Sequence, residues 1–210
     1  MARHRIRKDP VTQATLFGEE IIGWAAPEKD ICIVECDKTV ADKVIVPHHY
    51  SHKVTQNSCL SMLVKTIGGG RIMGALQMGY GIRPKIKGEY ETDSTREFDR
   101  MWLSDEQPKY SETIVLSLFH HYLRKMHPEV KYLISYADTS AGNKGTIYKA
   151  ANYKLIDDIK ADFYILATGE RVHPVSMYHR HHSRAWGLLQ QLYPGIRKAD
   201  GRQLKFLFEL

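Results

Sequence analysis

The apolar and polar positions break the chain into short strand-like runs, followed by a strand and helix alternation. Residues 30–37, DICIVECD, form a β-branched apolar run and predict the first strand. The next stretch, TVADKVIVPHHYSHKVTQN, is broken by Pro47 and reads as short helix and loop. Residues 58–67 and 71–82 are two strand-like runs joined by Gly68-Gly69-Gly70, a hairpin signal. Residues 98–104 return to strand character. Ile114, Val115, Leu118, Phe119, Tyr122 and Met126 then fall at helical spacing, with Ser111 as the expected N-cap and Pro128 as the stop. Strands are expected over 130–138, 161–168 and 203–210. Between them the pattern predicts a helix carrying Tyr148 and a His-rich helix over 177–192, ended by Pro194 and Gly195.

This order is that of an α/β domain, a mixed sheet covered by helices. A single domain over 1–210 is expected, with a basic N-terminal arm (1–28) and a polar surface insertion (83–97). At 210 residues, with 43% hydrophobic and 26% charged positions, the chain can bury one good core. No apolar run reaches the roughly 18 residues that a membrane span requires. The basic start, MARHRIRKDP, has no apolar signal core after it, which argues against secretion. Three cysteines, Cys32, Cys36 and Cys59, read as reduced thiols in a cytoplasmic protein.

Charge changes the picture. The net charge is +6 and unevenly placed. Residues 171–210 carry seven Lys or Arg against two acids, with four histidines, and residues 3–8 add four more cations. Basic ends suit a polyanion such as nucleic acid; a solubilising surface would look the same.

The candidate chemistry centres on VKYLISYADTSAGNKGTIYKAANYKLID, 130–157. Its strand ends on the carboxylate Asp138, a glycine-rich turn follows, and Tyr148 sits on the next helix. Asp138 could accept a proton and Tyr148, protonated at neutral pH, could donate one. The turn DEQPKYSET before the long helix offers Lys109, Ser111 and a helix N-terminus to an anion, although it lacks glycines. In HHYSHK, His49 can move protons and Tyr50 can stack on a base. His48 and His52 share a helical spacing, but no further ligand completes a metal set. In YHRHHSR, Tyr178, Arg180 and Arg184 suit phosphate and base contacts.

Two resemblances narrow this. The element order, a hairpin followed by strand, helix, strand, helix, strand, resembles the GCN5-related N-acetyltransferase (GNAT) fold, with a central mixed, mostly antiparallel sheet flanked by helices. HYSHK at 49–53, Arg100 through PKYSE at 108–112, and SYADTSAGNKGTIYKAANY at 135–153 resemble the Mom DNA-modification proteins of Mu-like bacteriophages. The resemblance implies a transferase that converts adenine in double-stranded DNA to its carbamoylmethyl derivative at the exocyclic amine, in the host cytoplasm, so that phage DNA escapes restriction. It implies roles for His49, Tyr50, Arg100, Ser111, Asp138 and Tyr148. Acetyl-coenzyme A or a related donor is the implied cofactor, with a metal as a further candidate. The amine is a poor nucleophile, so Asp138 or His49 would take its proton, and the base would be flipped out of the duplex. Arg100, Lys109 and Ser111 would face the donor's phosphates or a developing negative charge. An ordinary acyl-coenzyme A-dependent N-acetyltransferase and a non-catalytic DNA-binding protein are the alternatives. The oligomeric state, homodimer included, stays open.

Overall fold

The computed structural model describes residues 11–14, 20–49, 52–67, 70–81, 90, 92–160 and 163–210. Tyr50, most of the insertion and the start of the basic arm lie outside them. The chain forms two compact units.

The first unit comprises residues 1–135, 147–154 and 206–210. Its sheet begins with β1 (Val11–Ala14), β2 (Glu20–Ala26) and β3 (Ile31–Glu35), and continues with β4 (Ser58–Lys65), β5 (Ile72–Gly79) and β6 (Thr95–Leu103). Each pairs with the next antiparallel. β7 (Tyr132–Asp138) pairs with β6 in parallel. β8 (Lys154–Lys160) and β12 (Arg202–Glu209) each begin in one unit and end in the other. The hairpin β4–β5 and the strand β6 are where the apolar runs put them. β1 and β2 are not, since they occupy the region read as an arm.

Helix α1 (Lys38–Ile45) packs on β4, β5 and β6. It buries Ala41 and Ile45 against Val34, Leu63 and Ala75, which lie opposite one another across three strands and so define one face. Helix α2 (Ser111–Met126) carries the expected apolar stripe except Met126, which is exposed. Phe98 meets Phe119 of α2 and Tyr148 of the short helix α3 (Thr146–Ala150), so these helices cover the opposite face. Ser111 begins α2 but does not cap it. Its hydroxyl donates back to the Pro108 carbonyl at 2.6 Å, and Tyr110 occupies the N-cap position at φ 74°.

The second unit comprises residues 136–146 and 155–205. It holds a small sheet, β10 (Arg171–Val172), β9 (Tyr164–Ile165) and β11 (Arg197–Lys198), in that order. Tyr164, Leu166, Val172, Met177, Leu189 and Ile196 make its core. The expected helix over 177–192 is two helices, α4 (Pro174–His181) and α5 (Trp186–Leu192). His182 adopts a left-handed conformation at φ 51° and ends α4. The expected strand over 161–168 is only the two-residue β9 within the described residues.

Candidate active site

The register across β5 and β6 fixes the site in the first unit. Ala75 stands opposite Trp102 and Gln77 opposite Arg100, so Arg100 and Trp102 share the α1 face with Ala75. The next pair is Met78 with Phe98, which leaves Asp99 as an extra residue, a β-bulge. A bulge re-aims a side chain. Without it Phe98 and Arg100 would share one face and Asp99 the other; with it, Phe98 and Arg100 fall on opposite faces, and Asp99 reaches Ser58 with Arg100 beside it.

That group runs from α1 to β6. Lys38 Nζ donates to Asp42 at 2.5 Å, and Gln77 Nε2 donates to the other Asp42 oxygen at 2.8 Å. Thr55 Oγ1 donates to Gln77 Oε1 at 3.2 Å and lies 2.5 Å from Ser58 Oγ, which stands 3.5 Å from Asp99 Oδ2. Gly79 makes room for the carboxylate. A Cβ there would sit 2.6 Å from Asp99 Oδ2 and 2.7 Å from the Asn57 carbonyl. Burial pushes the Asp99 carboxyl up to about 7, against the downward pull of Arg100, Ser58 and Lys38.

His49 follows α1 in a turn held by the bond from its N–H to the Ile45 carbonyl at 2.8 Å. Burial, then the Arg100 and His52 charges, hold its imidazole down to about 4, so it is neutral at physiological pH. His48 stacks on Trp102, with ring centroids 3.9 Å apart and planes at 11°. His52 is at φ 46°, outside any helix, so the spacing of His48 and His52 does not become a helical ligand pair. Among the described residues no three His, Cys, Asp or Glu side chains come together as a metal set.

The parallel ladder between β6 and β7 covers only Thr95 to Glu97 against Tyr132 to Ile134. Beyond Glu97, on the β7 side, β6 has no ladder partner among the described residues. Asp99, Arg100 and Trp102 therefore follow the last β6–β7 ladder pair on their strand.

Tyr148 belongs to the same unit but to the other face. It is buried, packed edge-on to Phe98 and tilted against Tyr153 and Phe206. Beside it the buried His120 meets the Tyr153 hydroxyl at 2.8 Å, a pair without an evident sequence signal. Burial holds His120 down to about 3 and pushes the Tyr153 phenol well above its ordinary range.

Asp138 lies in the second unit, at the end of β7. Its Oδ1 accepts from Ser140 N at 2.8 Å and from Ser140 Oγ at 2.5 Å, and its Oδ2 accepts from Arg171 Nη2 at 2.5 Å. Both oxygens of this 6%-exposed carboxylate are thus committed. That arrangement anchors the turn at 139–141, which differs from the free proton acceptor expected from the strand-end position.

At the turn before α2, the Ser111 amide and hydroxyl both bond to Pro108, at 3.1 and 2.6 Å. Neither is presented to a phosphate, so the Ser111 arrangement does not fit the coenzyme cradle expected of it. Lys109 is exposed, its Nζ lying 5.2 Å from the centre of the Tyr110 ring. Tyr178, Arg180 and Arg184 are exposed on and after α4. Arg180 donates to Glu170 at 3.0 Å across a solvent-facing gap.

Of the residues singled out from the sequence, His49 and Arg100 come together, and Tyr50 lies outside the described residues. Asp99 was not singled out, although its signal was present. In FDRMWL the apolar positions Phe98, Met101 and Leu103 change parity across Asp99-Arg100, as an inserted residue requires.

Residues 30–210 match the Mom protein family. The chain is 31% identical over 162 residues to the methylcarbamoylase Mom of Escherichia phage Mu, over 75% of this chain and 65% of that protein. The chain thus spans just under two thirds of the length of that relative. Among solved structures, a GNAT-family protein from Chromobacterium violaceum superposes with a TM-score of 0.51 at 6% identity, covering 86% of this chain and 83% of its own. A structure of the phosphinothricin N-acetyltransferase kind gives 0.51 at 6% identity, covering 86% and 98%. These two likenesses establish the fold.

Proposed function

Since the chain belongs to the Mom protein family, we propose that it is a transferase that modifies adenine in double-stranded DNA. The product is the carbamoylmethyl derivative at the exocyclic amine, as the name of the phage Mu relative, methylcarbamoylase, suggests. The biological outcome is protection of phage DNA from restriction in the host cytoplasm. The observation that carries the reading is the cluster of His49, Asp99 and Arg100, the last two on β6 beyond its final ladder pair with β7, inside the stretch that matches the family.

The chemistry follows from the amine. A new N–C bond forms as the donor's leaving group departs with its bonding pair, and one amine proton must leave to restore a neutral product. Neutral His49 can hold the base or relay that proton. Arg100, a permanent cation, faces the negative charge that develops on the donor. Tyr148, buried on the other face of the sheet, supplies a phenolic proton only to a departing group that reaches that face beyond the last β6–β7 ladder pair, and Tyr50 stacks on the flipped base. Asp138 serves through Arg171, holding the turn at 139–141 in place. Tyr178, Arg180 and Arg184 bind the DNA backbone, where their exposure leaves them accessible.

The donor is proposed to be an activated two-carbon unit of the coenzyme A class that carries the amide and is attacked at its methylene carbon, since attack at an acyl carbonyl would leave an N-acyl adenine. Arg100 and Lys109 are its phosphate or charge contacts, and no step is derived through Ser111. A plain acyl-coenzyme A-dependent N-acetyltransferase would share this fold, and the product separates the two.

The test is plasmid DNA from cells expressing the full chain. Resistance to endonucleases whose sites contain adenine, together with a new adenine nucleoside on chromatography, is expected. Both should be lost in Arg100→Ala and Tyr148→Phe. An unmodified profile from well-expressed protein would end the proposal.

A further inference from the structure

We infer that Asp99 is the proton acceptor for the adenine amine, a role that rests on the adenine-modification reading above and assigns it to a new residue. Three independent features of the structure point there. First, the β6 bulge spends one unpaired residue to bring Asp99 to the side of Arg100, and bulges of this kind re-aim side chains next to sites of chemistry. Second, Gly79 of β5, which pairs with Glu97 beside the bulge, leaves the space the carboxylate occupies: an added Cβ would sit 2.6 Å from Asp99 Oδ2. Third, the strand edge at Asp99 lies beyond the end of the β6–β7 ladder, so it is not sealed by backbone pairing among the described residues.

The way each carboxylate is held decides between the candidates. Asp138 accepts three hydrogen bonds of 2.9 Å or less, one of them from a guanidinium. Taking up a proton would break that ion pair. Among the described residues, Asp99 has the Ser58 hydroxyl at 3.5 Å and no ion pair. The charged and titratable groups around it are Arg100 and Arg96 on its own strand, Lys38 on α1, and Cys59 on β4, at the register shift between Ser58 and Leu60. Burial outweighs all of them and keeps the carboxyl near neutrality, the range in which a base both exists ionised and accepts a proton readily. His49 is a weaker acceptor because burial and Arg100 oppose its protonation.

In the step, the amine nitrogen attacks the donor carbon and the N–C bond forms. The donor's leaving group departs with the bonding pair, and the displaced amine proton passes to Asp99 Oδ. Asp99 then releases it to solvent. The donor is a carbamoylmethyl electrophile, supplied by the host cell, whose methylene carbon bears that leaving group.

The experiment uses the full chain, plasmid DNA, and clarified host-cell extract as the donor source, buffered from pH 5.5 to 8.5. Wild type, Asp99→Asn and Asp99→Glu are compared by nucleoside mass spectrometry. Expected for Asp99→Asn is a loss of modification on the order of 100-fold or more, unchanged DNA retention and unchanged secondary structure. Wild type should gain activity with pH through about 7, a step missing from the residual activity of Asp99→Asn, and Asp99→Glu should recover part of the rate. A merely structural role would leave that step in place. Activity of Asp99→Asn within a few-fold of wild type, or the same pH step in both, overturns the assignment while leaving the adenine-modification reading intact. A wild-type protein that yields no modified nucleoside overturns that reading, and the assignment with it.

Discussion

A buried carboxylate kept for chemistry should cost stability, and Asp99 lets that cost be measured. Its carboxyl is held at about 7 in the folded chain against an ordinary 3.8. The folded state therefore keeps a proton that the unfolded chain has already released between pH 4 and 7. Stability falls as pH rises through that window, then levels off above the folded value. At ~1.4 kcal/mol per pH unit the full effect is on the order of 4 kcal/mol, set chiefly by desolvation. Asp99→Asn keeps the shape and can keep the Ser58 contact, but has no charge to desolvate. Urea unfolding of both proteins from pH 4 to 8.5 gives the difference directly. We expect no difference near pH 4, a growing advantage for the variant up to about pH 7, and a plateau beyond. His49 has the opposite sign: held down to about 4, it withdraws stability as pH falls below its ordinary value. Both proteins share that term, so the difference isolates Asp99. A variant less stable than wild type at pH 8, or a difference independent of pH, would refute the desolvation argument.

Other consequences are simpler to test. Arg171→Ala removes the ion-pair partner of a carboxylate that is 6% exposed, so a loss of ~3–5 kcal/mol is expected in thermal or urea unfolding. Asp138→Ala placed in the same chain should return part of it. Tyr148→Phe keeps the packing on Phe98, Tyr153 and Phe206 and should change stability by less than ~1 kcal/mol while abolishing modification. Tyr148→Ala opens the core and should cost ~3–5 kcal/mol. The double variant of Arg180 and Arg184 to Ala should bind DNA less tightly, with a shallower dependence on salt, as gel-shift titrations at several salt concentrations would show. The Arg180 pair with Glu170 faces solvent, so folding stability should move by no more than ~0.5 kcal/mol.

Much of the first unit was legible in the sequence because its strands bury what they contain. The runs at 30–37, 58–67, 71–82 and 98–104 are apolar where they meet helices, and all became strands. β8 was not legible. KLIDDIK is exposed at nearly every position, so it carries no apolar alternation to read. The break between α4 and α5 depends on His182 entering the left-handed region, which no glycine announces. Among site residues, His49 and Arg100 could be found from the residues and the resemblance. The environment of Asp138 could not, because Arg171 is 33 positions away and joins it only through the fold. Asp99 lay between. The parity change in FDRMWL marks the bulge, but its burial and the space left by Gly79 exist only in three dimensions.

The account stands or falls on the product. High-resolution mass spectrometry of nucleosides from DNA made in cells expressing the full chain measures it most directly. The expected species is deoxyadenosine in which a carbamoylmethyl group replaces one hydrogen of the exocyclic amine, heavier than an acetyl adduct by one nitrogen and one hydrogen, and absent with Asp99→Asn. An acetyl adduct, or unmodified deoxyadenosine from DNA in contact with abundant folded protein, would contradict it.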